Sequence, residues 1–434
     1  MENQWYTIGP GIWVLVLSGD AKTDHKSCLQ WYKPNAKSVT DDIITHTYIE
    51  DVCFVKGGLS DVTLGQGWGP GACAYRQPGM KHGTYKAFAI YLMPSCATDE
   101  VTQENHVEYQ FGRAAASLDD GLQQIATGTR SQFFEDCDSG VYDNVVTIGR
   151  TVDSVQFTGL FDAELIAKLP SSVKFICHNG AGYDQIDVEA CIEKGILVSN
   201  TPSVVNDATA DTTILLLLAA LRRAWIPQYA LRNGLWSSSS PLGRDPEGLV
   251  LGILGLGGIG SAVAKRAASF DLRLQYHNQS PVSASVMSRL SLDAADEPKY
   301  VSFEELLRTS DIISVHVPLS PKTIHLIGKK EIDMMKDNAI IINTARGPVI
   351  DESALVGGLE SGKIWSAGLD VFEREPNIHP ELMTNENVIL LPHIGTATVD
   401  TRKRMEATML ENVRNSLIHK QLLTPIPELE QTGR

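Results

Sequence analysis

The sequence predicts an α/β fold with two doubly wound parallel sheets and a separate N-terminal segment. From about residue 144 onward, short apolar segments alternate with amphipathic ones, a pattern typical of strands joined by crossover helices. A polar stretch rich in serine, glycine and proline, residues 233–248, divides this alternation into two series. We therefore expect one sheet from each series.

The first series predicts three strands, two short helices and one long apolar helix. The strand segments are short, apolar and bounded by polar residues, whereas the helical segments repeat apolar residues every three or four positions. The strands are DNVVTIG (143–149), VKFICHN (173–179) and ILVSN (196–200); the helices are FDAELIAKL (161–169), IDVEACIEKG (186–195) and ATADTTILLLLAALRRA (208–224).

The second series begins with the strand LVLGIL and the helix SAVAKRAASF within residues 249–270. Ser302 and Glu305 predict a capping box for the helix EELLR. A last helix, from about residue 398 to 419, closes the chain. The segments between are LRLQYHNQ (272–279), YVSFEELLRTS (300–310), DIISVHVP (311–318), KKEIDMMK (329–336), NAIIINTARG (338–347), DESALVGGLESG (351–362), WSAGLDV (365–371) and NVILLPHIG (387–395).

The N-terminal segment, residues 1–115, does not share this rhythm and is left unassigned. Eight glycines lie between residues 57 and 83, and four of the seven tryptophans lie in the first 70 residues. So many aromatic residues argue against simple disorder. Two stretches, GIWVLVLSG (11–19) and YKAFAIYLM (85–93), are each a candidate for the first strand of the first sheet, and the sequence does not choose between them.

Composition excludes several classes of function. With 434 residues and 43% hydrophobic residues, the chain is long enough for two or three globular domains. A formal net charge of -15 disfavours nucleic-acid and membrane-surface binding. The longest apolar runs fall far short of the ~20 residues of a membrane span, and the start MENQW lacks a secretory pattern, so we expect a cytoplasmic protein.

The seven cysteines predict neither a disulfide framework nor a metal site. Their number is odd, and the sequence contains no CxxC pair and no cysteine–histidine spacing typical of zinc ligands. We expect free thiols and no bound metal.

A glycine-rich turn joins the first strand and helix of the second series, at Gly255, Leu256, Gly257, Gly258, Ile259 and Gly260. GxGxxG alone is often an ordinary tight turn, but between a strand and a helix it favours dinucleotide binding. The backbone approaches the pyrophosphate where Cβ atoms are absent, and the free N–H groups and dipole of the helix N-terminus stabilise its negative charge.

The next strand ends at Asn278, Gln279 and Ser280, where the adenosine ribose of a dinucleotide is read. A carboxylate at this position would repel a 2′-phosphate, whereas these side chains offer neutral donors. NADP is therefore allowed and slightly favoured. No arginine follows directly, so use of NAD or of both cofactors stays open.

Three ionisable residues follow consecutive strands of the second series: Arg346, Glu375 and His393. The carboxyl ends of parallel strands surround the ligand crevice of such a sheet. An arginine there can clamp a carboxylate, a histidine can transfer a proton, and a glutamate favours the charged imidazolium. Each residue alone has an ordinary structural explanation. Together with the glycine turn they predict hydride transfer from a nicotinamide to a 2-oxo acid.

Five motifs make residues 115–420 resemble the D-isomer-specific 2-hydroxyacid dehydrogenase family. They are GLGGIG (255–260), HVPL (316–319), NTARG (343–347), GLDVFEREP (368–376) and PHIGT (392–396). The resemblance implies a flavodoxin-like substrate domain, residues 116–203 with 397–425, and a Rossmann nucleotide domain, residues 204–396. It also implies a homodimer formed by a helix pair near residues 205–240.

The resemblance further implies roles for individual residues. Arg346, Glu375 and His393 are the expected catalytic set, Asp370 supports the arginine and the nicotinamide end, and the amides of Ala181 and Gly182 hold the substrate carboxylate. The remaining expected cofactor contacts are Thr209, Val317, Pro318, Thr344, Ala345 and Gly395.

The expected activity is NAD(P)-dependent reduction of 2-oxo acids to D-2-hydroxy acids. The sequence is most similar to glyoxylate/hydroxypyruvate reductases and to relatives that accept bulkier substrates, such as D-mandelate and hydroxyisocaproate dehydrogenases. The alternative is a dinucleotide-sensing, corepressor-like interaction protein of the same fold, with the aromatic N-terminal segment as a docking surface.

Overall fold

The computed structural model describes residues 128–236 and 240–429 in full, and the backbone alone of residues 430–431 and of nine strands before residue 127. Other parts of the chain, including residues 237–239 of the expected surface connection, lie outside the described residues. The chain divides into two compact units between Tyr85 and Lys86.

The first unit contains antiparallel strands. A three-stranded sheet is formed by β1 (Tyr6–Gly9), β2 (Ile12–Asp20) and β3 (His25–Tyr32), and two further pairs join β4 (Glu50–Cys53) to β7 (Cys73–Arg76) and β5 (Leu59–Asp61) to β6 (Gln66–Trp68). The candidate strand GIWVLVLSG lies here, in β2, and not in a parallel sheet.

The second unit begins with a five-stranded parallel sheet. Its strands are β8 (Ala87–Leu92), β9 (Leu122–Ala126), β10 (Thr147–Thr151), β11 (Phe175–Asn179) and β12 (Leu197–Ser199). The order β12-β11-β10-β8-β9 is the flavodoxin-like arrangement. YKAFAIYLM therefore supplies the first strand, and the sheet begins earlier in the chain than the predicted boundary at residue 116.

A seven-stranded parallel sheet follows in the same unit. Its strands are β13 (Val250–Leu254), β14 (Arg273–His277), β15 (Lys299–Tyr300), β16 (Ile312–Val315), β17 (Ala339–Asn343), β18 (Ile364–Leu369) and β19 (Val388–Leu390). The order β15-β14-β13-β16-β17-β18-β19 is the Rossmann order with one added strand. The predicted fold class is confirmed.

Helices cover both sheets. In the described part of the chain they are α1 (Arg130–Asp138), α2 (Val155–Thr158), α3 (Ala163–Lys168), α4 (Val188–Lys194), α5 (Asn206–Arg222), α6 (Trp225–Arg232), α7 (Gly258–Ala268), α8 (Ala284–Ser288), α9 (Phe303–Thr309), α10 (Lys329–Met334), α11 (Glu352–Glu360), α12 (Pro380–Thr384), α13 (Val399–His419) and α14 (Pro427–Gln431).

Side-chain caps fix several helix starts. Asp162 and Asp187 accept backbone N–H groups of the first turns of α3 and α4. Ser302 accepts the Glu305 N–H at 3.1 Å, which is the serine half of the predicted capping box.

The strands of the second sheet are buried on both faces, as parallel strands covered by helices must be. All five residues of β17 are buried. One apolar cluster includes α9, α10 and α11, and another includes α5 and α7, with side chains of the same strands in both. This rigid sheet carries the loops of the candidate site.

The last long helix, α13, returns to the first sheet. It packs against β10 and β11, and the hydroxyl groups of Thr147 and Ser416 lie 2.8 Å apart. Among the described helices, none alone combines the length and apolar composition of a membrane span; α5 and α6 do so only when taken together across a 77° bend.

Candidate active site

The glycine turn is packed tightly on all sides but one. Gly255 has a φ of 103°, and a Cβ there would lie 2.8 Å from the His316 carbonyl. A Cβ on Gly258 would meet Asn206 at 2.5 Å, and one on Gly260 would meet the Gly255 oxygen at 2.1 Å. At Gly257, by contrast, no described atom lies within 4 Å of a Cβ. The turn therefore has one open face, at the start of α7.

This open face is suited to an anion. Gly257 is the N-cap of α7 and provides no side chain to accept the first N–H groups of the helix. Ile259 lies behind the turn, packed against the apolar core. The free N–H groups and the positive end of the helix dipole thus face the space that a pyrophosphate would fill.

Asn278 has a contact that the sequence did not predict. Its Oδ1 accepts the Leu256 N–H at 2.7 Å, so the side chain fastens the glycine turn to the end of β14. Gln279 and Ser280 follow it as exposed residues. The strand end is neutral, as predicted, and its donors are accessible to a ribose or a phosphate.

Val317 and Pro318 follow β16 beside the glycine turn, because a Cβ on Gly255 would lie 3.1 Å from the Val317 nitrogen. The preceding His316 is partly buried, and its Nε2 lies 2.7 Å from the Ser314 hydroxyl. Burial lowers the pKa of His316 to about 3, so this ring is neutral at physiological pH. It supports the turn and carries no charge for chemistry.

Arg346 is presented by a turn that its neighbours close. Asn343 Oδ1 accepts the Ala345 N–H at 3.0 Å, and its Nδ2 donates to the Arg346 carbonyl at 2.9 Å. A Cβ on Gly347 would lie 1.8 Å from the Phe372 carbonyl carbon, so this turn packs directly on the backbone that leads to Glu375.

The Arg346 guanidinium reaches the first sheet. Its Nε donates to Asp184 Oδ1 at 2.8 Å, and its Nη1 donates to the Ala345 carbonyl at 2.8 Å. Its Nη2 lies over Gly182, where a Cβ would be only 1.8 Å away. Within the described residues Nη2 donates to no protein acceptor, so it is the group left for a ligand.

The loop at residues 179–184 lies beside this arginine. The carbonyls of Gly180 and Ala181 accept from the Thr201 N–H at 3.0 Å and from Asn200 Nδ2 at 2.7 Å. In a trans peptide the N–H points opposite to the carbonyl, so the N–H groups of Ala181 and Gly182 point away from these partners. Neither donates to an acceptor in the described chain, so both N–H groups are free, as they are in the backbone nests that bind anions.

His178 holds the far end of this loop. Its Nε2 donates to the Gly182 carbonyl at 2.9 Å, which leaves Nδ1 unprotonated and, among the described residues, without a partner. Burial, and then the charge of Arg150, lower the pKa of His178 well below its usual value. The ring is therefore a neutral support for the loop.

His393 and Glu375 form a hydrogen-bonded pair. His393 Nδ1 lies 2.8 Å from Glu375 Oε2, and Glu375 Oε1 accepts the Phe372 N–H at 3.0 Å. Burial alone would raise the pKa of Glu375, but the His393 contact, the Phe372 N–H and the Arg346 charge together hold it below its usual value. The imidazole is half exposed, and its Nε2 is free for a substrate.

Asp370 supports the histidine loop. Its two carboxylate oxygens accept the N–H groups of Ile394 and Gly395, each at 2.8 Å, and its carbonyl accepts the His393 N–H at 2.8 Å. Burial raises the pKa of Asp370 against the opposite effect of the two N–H donors. These contacts run to the turn that carries His393 and not to Arg346, the residue that Asp370 was expected to support.

Two threonines expected near the cofactor are linked through a third. Thr344 donates to the Thr213 hydroxyl at 2.8 Å, and Thr213 donates in turn to the Thr209 carbonyl at 2.8 Å. A Cβ on Gly395 would lie 3.4 Å from the Thr209 methyl group. The start of α5 and the turns after β17 and β19 therefore lie side by side next to the glycine turn.

The structure also adds residues that sequence reasoning did not assign. Asp184 pairs with Arg346, Asn343 closes the arginine turn, and Thr213 joins two predicted contacts. The sequence did contain a signal for Asp184, because a carboxylate within a loop expected to bind an anion needs a cation as its partner. Among the described residues, no group of three or more histidine, cysteine, aspartate or glutamate side chains is arranged to hold a metal ion.

Comparisons with known proteins agree with this geometry. The model of the D-isomer specific 2-hydroxyacid dehydrogenase NAD binding domain matches residues 214–395. The chain is 52% identical over 307 residues to 4-methyl-2-oxopentanoate reductase A of Aspergillus oryzae, covering 71% of this chain and 91% of that relative.

Solved structures give the same result. A glyoxylate reductase from Paecilomyes thermophila is 46% identical, with a TM-score of 0.72, over 79% of this chain and 99% of that one. An NADPH-dependent glyoxylate/hydroxypyruvate reductase from Sinorhizobium meliloti, solved with NADP and malonate, is 28% identical, with a TM-score of 0.65, over 79% and 98%. All three relatives are named for reductase activity and none for partner binding. From the strand orders, the glycine turn and these similarities, the chain is an oxidoreductase that belongs to the D-isomer specific 2-hydroxyacid dehydrogenase family.

Proposed function

We propose that this enzyme reduces 2-oxo acids to D-2-hydroxy acids, with His393 as the proton donor and Arg346 as the substrate-binding cation. The observation that carries the proposal is the proximity of three loops: Arg346 lies over Gly182, and its charge acts on Glu375, the partner of His393. The amides of Ala181 and Gly182, the free Nη2 of Arg346 and the His393–Glu375 pair offer every group that this reaction asks of the protein.

Each of these residues has a separate role in the proposed reaction. The N–H groups of Ala181 and Gly182 bind the substrate carboxylate, and Arg346 Nη2 stabilises the charge that builds on the oxygen at C2. His393 Nε2 donates a proton to that oxygen, while Glu375 holds the ring and stabilises its charged form. A bound nicotinamide dinucleotide supplies the hydride.

The residues at the nucleotide side fit such a dinucleotide. The open face at Gly257 accepts a pyrophosphate without a clash, and the neutral end of β14 at Asn278 admits the 2′-phosphate of NADP as well as NAD. We favour NADP slightly, in line with the Sinorhizobium meliloti relative. Kinetic constants with NADPH and NADH on one substrate test this preference.

The substrate class extends from glyoxylate and hydroxypyruvate to branched 2-oxo acids. The name of the Aspergillus oryzae relative points to 4-methyl-2-oxopentanoate, and that of the Paecilomyes thermophila relative to glyoxylate. A panel of 2-oxo acids, assayed by the loss of reduced cofactor absorbance, ranks these substrates.

Assembly and location are part of the same proposal. Several apolar side chains of α6 and the following loop are exposed, and we propose that this face joins two copies of the chain in a cytoplasmic homodimer. These residues are Trp225, Tyr229, Leu231, Leu235, Trp236 and Leu242. Within the described residues three free, buried thiols are consistent with a reducing compartment: Cys137, Cys177 and Cys191.

The decisive test of the chemistry replaces His393. Loss of a general acid costs about 10² to 10⁴ in rate, so His393→Gln should lower kcat by that factor while cofactor affinity stays unchanged. His379→Gln is a matched control, because His379 also lies beside a glutamate, Glu381, at 2.8 Å. Wild-type turnover by His393→Gln, or an equal loss in the control, would refute the assignment.

A further inference from the structure

A second arginine lies behind the loop expected to bind the substrate carboxylate. Arg150, on β10, is completely buried and pairs in register with His178 on β11. Its guanidinium lies 4.8 Å from the centre of the Phe161 ring. An arginine in a buried strand is destabilising, because the charged group loses its hydration there and only hydrogen bonds or an opposite charge offset that loss.

The hydrogen bonds of Arg150 connect it to the carboxylate loop. Its Nη2 donates to Gln185 Oε1 at 2.7 Å, and its Nε donates to the Ser154 hydroxyl at 3.1 Å. Gln185 directly follows Asp184, the partner of Arg346. Arg150 Nη1 is buried and has no acceptor among the described residues. The contacts therefore anchor the loop and leave one side of the guanidinium unmatched.

The charges around the loop do not cancel. Arg346 and Arg150 are cations and Asp184 is an anion, while His178 is neutral because its pKa is well below the usual value. Burial lowers the pKa of Arg150 to about 10, and the charge of Asp184 opposes this effect, so the guanidinium stays protonated at neutral pH. One positive charge is left over, behind amides that face a carboxylate site.

We propose that Arg150 is a positioning residue for the substrate: its buried charge attracts the carboxylate of the 2-oxo acid through the loop at residues 179–184, and its bond to Gln185 fixes that loop. This inference rests on the function proposed above and deepens it. The substrate carboxylate is the counter-charge that the buried guanidinium lacks, so selection for acids over neutral 2-oxo compounds depends on a residue that never touches the substrate.

Two variants test the inference with the full-length enzyme. Arg150→Met removes the charge. Gln185→Glu keeps Arg150 but places a carboxylate on the atom that already accepts its hydrogen bond, so it cancels the charge while preserving the anchor. Gln421→Glu, at an exposed site, controls for added negative charge. The substrates are the 2-oxo acid that the wild-type enzyme reduces best and its methyl ester, which has no carboxylate charge.

Both test variants should raise KM for the acid about tenfold or more, the order that one unit charge within about 10 Å contributes at an effective dielectric of ~20. KM for the ester and kcat for the acid should stay within about threefold of wild type, because the reacting groups are untouched. Thermal unfolding of Gln185→Glu should match wild type, so its result stands even where Arg150→Met folds poorly.

Three outcomes would overturn the inference. An unchanged KM for the acid in Gln185→Glu shows that the charge of Arg150 does not act on the substrate. An equal rise for acid and ester shows that Arg150 is purely structural. A wild-type enzyme that reduces no 2-oxo acid refutes the proposed function, and the inference with it, whereas the first two outcomes refute the inference alone.

Discussion

Replacing Gly257 with alanine tests whether the open face of the glycine turn receives the pyrophosphate of the dinucleotide. The backbone of Gly257 has a φ of -83°, which alanine adopts without strain, and its added Cβ would meet no described atom within 4 Å. The methyl group would instead occupy the space in front of the uncapped N-terminus of α7. Gly257→Ala should therefore fold normally and bind the cofactor poorly.

The size of both effects follows from the structure. Moving the pyrophosphate away from one helix N–H removes a charge-assisted hydrogen bond of about 1.5–3 kcal/mol, which raises the cofactor Kd about ten- to hundredfold. The cost to stability is about 0.5–1.5 kcal/mol, because glycine is a better N-cap than alanine.

Gly260→Ala is the matched comparison, because Gly260 lies in the same motif but is closely packed where Gly257 is open. Its Cβ would lie 2.1 Å from the Gly255 carbonyl oxygen, a backbone atom that cannot rotate away. Overpacking of this kind costs about 1–3 kcal/mol or more, so unfolding should shift to lower denaturant concentration.

Isothermal titration with NADPH and NADH, together with urea unfolding of each variant, separates the two effects. Wild-type cofactor affinity in Gly257→Ala would show that the pyrophosphate does not approach this face. A stability loss in Gly257→Ala as large as that in Gly260→Ala would contradict the packing argument.

Three other substitutions give independent checks. Gly357→Ala, at an exposed position inside α11 with no atom within 4 Å of the new Cβ, should stabilise the protein by about 0.5–1 kcal/mol in thermal unfolding. Burial raises the pKa of Asp311, but the contact with Lys336 and the Val250 N–H lower it more and hold it below its usual value. Stability from Asp311 is thus fully present above pH ~4 and lost as pH falls through the folded pKa, so Asp311→Asn should unfold more easily at pH 7 and show less added loss in acid. Tyr229→Asp should yield monomers in light scattering, whereas wild-type mass in that variant would contradict the proposed dimer face.

Much of the site was predictable because a parallel sheet brings the carboxyl ends of its strands to one edge. Arg346 follows β17, and Glu375 and His393 follow β18 and β19, so neighbouring strands bring distant residues to one edge of the sheet. The glycine turn was equally predictable, since a strand and a helix bracket it in the sequence.

What the sequence left open depends on partners far along the chain. GIWVLVLSG and YKAFAIYLM have the same apolar pattern, and only the strand each one pairs with tells them apart. The Arg346–Asp184 contact joins residues 162 positions apart. The contacts of Asp370 could not be read from its motif either, because a carboxylate serves an arginine or two backbone amides equally well.

The His393–Glu375 pair also explains how the crevice tolerates the change in charge during the proposed reaction. Before reduction the protonated histidine and the carboxylate sum to zero, and after proton donation the pair carries one negative charge. A bound nicotinamide would become positively charged as it supplied the hydride. The negative charge of the His393–Glu375 pair would offset that charge, and a histidine without Glu375 would not provide it.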